Sequence, residues 1–153
     1  MRDLLLPIVA VLSFGLGGDA KGTDPSACLG NIREALVSSG FSGSVDCEMD
    51  DISLVYVGQV KAADHLFRIC EHRYRLRPAC PECAVHGGRR FLFLSNGRYL
   101  GQYRSDFVNA HIEDGILVFV PDDLASARTE VVFTRDGPPA EILVDGEVVR
   151  LFR

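Results

Sequence analysis

The most specific chemical motif in this 153-residue sequence is Cys80-Pro-Glu-Cys83, two cysteines three positions apart. That spacing can close a small disulfide ring or offer two thiolates to one metal ion. Its surroundings argue against redox catalysis. A reactive pair sits where a strand feeds a helix whose N-terminus lowers the thiol pKa, whereas here Arg77-Pro78 precedes the motif and Gly87-Gly88 and a strand-like run follow. A loop staple is the expectation, with a redox or zinc protein as the alternative. Cys70 and His86 would complete a set of tetrahedral zinc ligands, but the spacing is not that of paired knuckles and an oxidising compartment competes for the thiols. His86, beside two glycines, reads as a loop histidine, and no metal or cofactor is expected.

Charge is distributed unevenly. From His65 to Arg104 lie eight arginines (Arg68, Arg73, Arg75, Arg77, Arg89, Arg90, Arg98, Arg104) and only two acids, Glu71 and Glu82, a formal +6 within a chain of net −5. Arginine offers a rigid fork of donors matched to carboxylate and phosphate, and Tyr74, Tyr99 and Tyr103 share the segment. Arg90, Arg98, Tyr99 and Tyr103 are the candidate ligand contacts, for an anionic ligand or an acidic protein surface. The plainer alternative is that these arginines occupy solvated strand faces and pair with acids elsewhere. The overall negative charge excludes a dedicated nucleic-acid binder.

Other chemistry finds little support. Asp46, Glu48, Asp50 and Asp51 could offer oxygens to calcium but lack the glycine-bearing loop of an EF-hand, and their alternation fits a solvated strand face. There is no Gly-x-Ser-x-Gly, His-Glu-x-x-His or phosphate-binding glycine loop. Catalysis is not expected, and no catalytic residue is assigned.

The amino terminus resembles an export signal, with Arg2, an apolar run from Leu4 to Leu16, and small residues Gly18 and Ala20 before a cleavage point after residue 20. Thirteen residues including Pro7 and Gly15 are too few for the roughly 20 that span a bilayer. A periplasmic or extracellular protein with one domain over residues 21–153 and no membrane span is expected. Export allows disulfides among the five cysteines. The pairs expected are Cys28 with Cys47, tying helix to first strand, and Cys80 with Cys83, leaving Cys70 as a buried free thiol.

These residues must be held by a helix and a run of strands. Asp24, Pro25 and Ser26 form a helix start, and Cys28, Leu29, Ile32, Ala35 and Leu36 share one face before Gly40 ends the helix. Val45, Cys47 and Met49 then alternate with acids as a first strand, followed by strands over 52–60 and 66–76. Asn96-Gly97, Asp114-Gly115 and Asp145-Gly146 signal two-residue hairpin turns, since both central positions accept positive φ. That register sets Leu94 against Tyr99, Phe93 against Leu100, Ile112 against Leu117, Leu143 against Val148 and Glu141 against Arg150. It also places Leu92, Leu94, Tyr99, Gly101 and Tyr103 on one face. The fold class is α+β, an N-terminal helix packed on an antiparallel up-and-down β-meander of about eight strands, with a small β-barrel or sandwich as the alternative. The function expected is that of an exported, non-catalytic binding or inhibitor-type protein.

Overall fold

The computed structural model describes residues 30–45, 52–76, 80, 82, 86–123 and 127–153. The export signal, the cleavage point, the helix start at Asp24, and Cys28, Cys47 and Cys83 lie outside these residues. Among the described residues no helix is long and apolar enough to cross a membrane.

Helix α1 (Gly30–Ser38) ends as its sequence suggests. Gly40 takes a φ of 86°, its N–H reaches Val37 O at 3.2 Å, and the Phe41 N–H reaches Leu36 O at 3.0 Å. This pair of bonds caps the last turn and swings Phe41 back under the helix, where it is buried with Leu36. Residues 41–45 continue outside any strand, so the strand expected from Val45 does not begin there, and 46–50 are not described.

Among the described residues nine strands follow, all paired antiparallel: β1 (Ile52–Ala62), β2 (His65–Leu76), β3 (His86–Ser95), β4 (Arg98–Arg104), β5 (Val108–Glu113), β6 (Ile116–Pro121), β7 (Thr129–Val131), β8 (Glu141–Val144) and β9 (Glu147–Phe152). They form two sheets, with orders β1-β2-β3-β4-β9-β8 and β5-β6-β7. The expected continuous meander holds only for β1 to β4. The chain then leaves for the second sheet and returns so that β9 pairs with β4.

All three glycine turns form as expected, with Asn96, Asp114 and Asp145 at φ of 49–50°. Leu94 faces Tyr99, Ile112 faces Leu117, Leu143 faces Val148 and Glu141 faces Arg150. Arg150 Nε lies 2.9 Å from Glu141 Oε1, a pair exposed enough to contribute roughly 0.2–1 kcal/mol. One register expectation fails. Phe93 faces Gly101, not Leu100, because Leu100 is an extra residue on β4. Gly101 carries the bulge at a φ of 152°, and a Cβ there would meet Phe152 O at 2.7 Å. Gly58 plays the same part on β1, with the same φ and a register break beside it.

The large sheet is apolar on both sides. Its inner face supplies Phe67, Ile69, Phe91, Phe93 and Tyr103 to a core shared with Leu117, Phe119 and Val131 of the second sheet. Its outer face supplies Leu54, Cys70, Leu92 and Leu94 to a smaller cluster with Ile32 and Leu36 of α1. The bulge moves Tyr103 from the expected company of Leu92, Leu94 and Tyr99 to the inner face. There its hydroxyl donates to Pro139 O at 2.5 Å.

The two sheets are joined by Arg89. Its Nε is 3.0 Å from Glu71 Oε1, and both side chains are largely buried. Its Nη1 donates to Val108 O and approaches Asn109 Oδ1 at 3.4 Å and Asp122 Oδ1 at 3.5 Å. The Arg89 N–H donates to Asp106 Oδ1 at 2.7 Å. Replacing Arg89 by alanine would leave Glu71 buried with only the half-exposed Arg73 as partner. The expected cost in urea unfolding is on the order of 3 kcal/mol.

Candidate functional site

The arginine-rich segment divides between the faces of the large sheet. Glu71, Arg73 and Arg89 point inward, in register across β2 and β3 with Phe91 and Phe93. Arg73 and Arg89 face each other directly, a like-charge contact that would repel if left bare. Glu71 resolves it, because its Oε1 binds the Nε of both arginines.

On the outer face the equivalent arrangement is not resolved. His72, Arg90 and Arg104 form one row across β2, β3 and β4, with Arg90 directly opposite Arg104. Without the bulge, the two-residue register would have put Tyr103 in that place. Arg104 has Asp106 Oδ2 at 3.7 Å, on the exposed side. Arg90 instead lies over the Tyr74 ring, its guanidinium carbon 4.5 Å from the centroid. That contact stabilises a cation but does not neutralise it. The Tyr74 ring in turn stacks on His72, 5.6 Å between centroids.

Four buried polar atoms on this face have no hydrogen-bond partner among the described residues: His72 Nδ1, Arg90 Nε, Tyr99 Oη and Gln102 Oε1. An unpaired buried polar group costs about 1–3 kcal/mol, so their concentration here calls for a physical explanation. Their hydrogen-bonding roles can be assigned. His72 Nε2 is 2.7 Å from Ser44 O, and a carbonyl only accepts, so Nε2 carries the hydrogen and Nδ1 of the neutral ring is an acceptor. Arg90 Nε is a donor, Gln102 Oε1 is an acceptor, and Tyr99 Oη serves as either. Phe41 covers the gap between two of them, edge-on to His72 at 5.6 Å and to Tyr99 at 5.4 Å.

Burial sets the titration of these groups. Desolvation pushes the Tyr99 hydroxyl up to about 12 against a smaller opposing effect of Arg90. Desolvation lowers the pKa of His72, with Arg90 acting in the same direction and the Ser44 hydrogen bond against it. Cys70, packed with Leu54, Leu92 and Leu94, has its thiol pushed up to about 12 by burial.

The candidate contacts named from sequence are therefore only partly brought together. Arg90 and Tyr99 share the outer face. Arg98 stands at the opposite end of the β3–β4 hairpin from Arg90, exposed, and lines a hollow of about 380 Å³ with Tyr99, Ser38 and Ser39. Tyr103 is on the other face. Tyr74 and Arg104 were counted in the arginine-rich segment but not named as contacts, nor were His72 and Gln102, because their adjacency depends on the β4 bulge and on pairing across the long β2–β3 connection. The one readable signal was Gly101 in mid-strand.

Of the cysteines, Cys70 is buried and free, as expected. Cys80 is exposed and disulfide-bonded. The pairings Cys28–Cys47 and Cys80–Cys83 involve undescribed residues. The described residues contain no group of three or more His, Cys, Asp or Glu able to hold a metal. Comparison with known proteins found no matching family model, curated protein or solved structure.

Two predictions follow from burial. Peptide mapping after treatment with a thiol reagent at pH 8 should leave Cys70 unmodified in the native protein and fully modified in guanidinium. The pH effect comes from His72. The folded state holds its ring neutral while the unfolded chain takes up a proton near 6.5, so this contribution to stability is full above that pH. It is lost as pH falls through 6.5 toward the lowered folded value. Unfolding midpoints measured between pH 7 and pH 5 should decline, and His72→Phe should flatten the slope.

Proposed function

We propose that this chain is an exported, non-catalytic binding protein that accepts an anionic group on the outer face of β2, β3 and β4. Arg90 and Arg104 supply the positive charge. The observation that carries the reading is the contrast between the two faces. The inward pair of opposed arginines has Glu71 between its members, whereas among the described residues Arg90 makes no ion pair. An anion from outside would stand on the outer face as Glu71 stands on the inner one.

The orphaned atoms support a ligand that both accepts and donates hydrogen bonds. Arg90 Nε offers a donor, and His72 Nδ1 and Gln102 Oε1 offer acceptors. A carboxylate or phosphate bearing a nearby hydroxyl has that combination. The exposed edge of Arg104 and the half-buried Arg90 and Tyr74 form the approach. Catalysis is not part of this proposal, since the site contains no nucleophile with an adjacent base. Export rests on the amino-terminal sequence alone.

The experiment is a calorimetric titration with inorganic phosphate, citrate and hexaglutamate at low and high salt. At least one probe should bind, more weakly as salt rises, with Arg90→Gln and Arg104→Gln each reducing affinity roughly tenfold, about 1.4 kcal/mol. Arg98→Gln should bind as the parent does. Hexaglutamate binding without phosphate or citrate binding would mark an acidic protein surface as the partner. Equal affinity in Arg90→Gln and the parent, or no binding of any probe, would sink the proposal.

A further inference from the structure

The outer face of the large sheet is covered unevenly. An apolar cluster with Ile32 and Leu36 of α1 covers part of it over β1 to β4, whereas its outward residues on β8 and β9 are exposed. Alternation directs Ile142, Val144, Val149 and Leu151 into the core and leaves Glu141, Leu143, Val148, Arg150 and Phe152 outward. Three of the outward residues are apolar and more than half exposed: Leu143 at 59%, Val148 at 57% and Phe152 at 54%. Leu143 lies directly opposite Val148, and Phe152 stands on the same face two residues beyond Arg150, with the Glu141–Arg150 pair between it and the other two. An apolar patch of this kind, interrupted by a single charged pair, has the composition of a contact surface.

We infer that this face is a twofold contact between two copies of the chain. The choice of occupant rests on charge. Glu141 and Arg150 lie side by side in the patch, which is therefore neutral as a whole but dipolar across the two strands. A twofold axis along the strands between β8 and β9 sets Arg150 of one copy against Glu141 of the other, and the reverse, while Leu143 likewise meets Val148. Such a surface is its own complement, as an isologous interface requires. A strongly acidic or basic partner would find only one of the two charges matched. The inference is independent of the anion-binding proposal, although Phe152 pairs with Gln102 and so brings the contact to the edge of that site.

The test is sedimentation velocity on the mature protein from micromolar to submillimolar concentration. A dimer that dissociates on dilution is expected, and Val148→Glu should weaken it by at least about tenfold. Glu141→Arg and Arg150→Glu should each weaken self-association. An equimolar mixture of those two variants should recover a dimer, which only charge pairing between copies can produce. A parent protein that stays monomeric throughout, or a dimer indifferent to Val148→Glu and to the charge variants, overturns the inference.

Discussion

Arg89 holds the two sheets in one structure, and most of the architecture depends on its being both buried and satisfied. Its guanidinium takes Glu71 from its own sheet and the Val108 carbonyl from the other, while its backbone N–H fixes Asp106 in the connection between them. A desolvated guanidinium is costly unless nearly all its donors are used, so this geometry selects one placement of β5 against the large sheet. Asn109 and Asp122 extend the network, with Asn109 Nδ2 donating to Asp122 Oδ1 at 2.7 Å. The apolar core supplies the larger part of the driving force, but hydrophobic contact is not directional. The polar brace makes the docking specific.

A sheet with two apolar faces needs two covers. The second sheet covers the inner face and α1 covers part of the outer one. Polar residues left between these covers have neither full solvent access nor full hydrogen bonding, and the four orphaned atoms lie at that boundary. The same division explains why neighbouring arginines differ so much. Arg89 and Arg90 are adjacent in sequence, yet one is a structural brace and the other lies over a tyrosine ring with no ion pair among the described residues.

Local features were legible in the sequence, and long-range ones were not. Positive φ at an Asn-Gly or Asp-Gly pair is a property of two residues, so three hairpins and the Glu141–Arg150 pairing could be read directly. The β1–β2 turn could not, because Ala63 adopts a φ of 51° without any turn signature. The partition into two sheets was hidden because Ser105, Asp106 and Phe107 resemble any short link, and only Arg89, distant in sequence, makes them a crossing point. Of the contacts named from sequence, Arg90 and Tyr99 stand on the outer face of β3 and β4. Tyr103 was misplaced because both faces of β4 carry apolar residues, so hydrophobic pattern alone could not reveal the extra residue.

That extra residue also bears on which changes the chain can absorb. Leu100 is only partly buried and faces no single partner, so at the level of substitution it is among the more permissive positions of β4. Deletion is another matter. Removing Gln102 with the bulge kept would invert every side chain beyond it, turning Tyr103 to the outer face and Arg104 to the inner one. Removing Leu100, which has no partner on β3, would leave Gly101 to Arg104 opposite the same residues. The hairpin thus tolerates variation at residue 100, its loss included, but not a change of length beyond the bulge, so indels among diverging copies should be confined to the bulge itself.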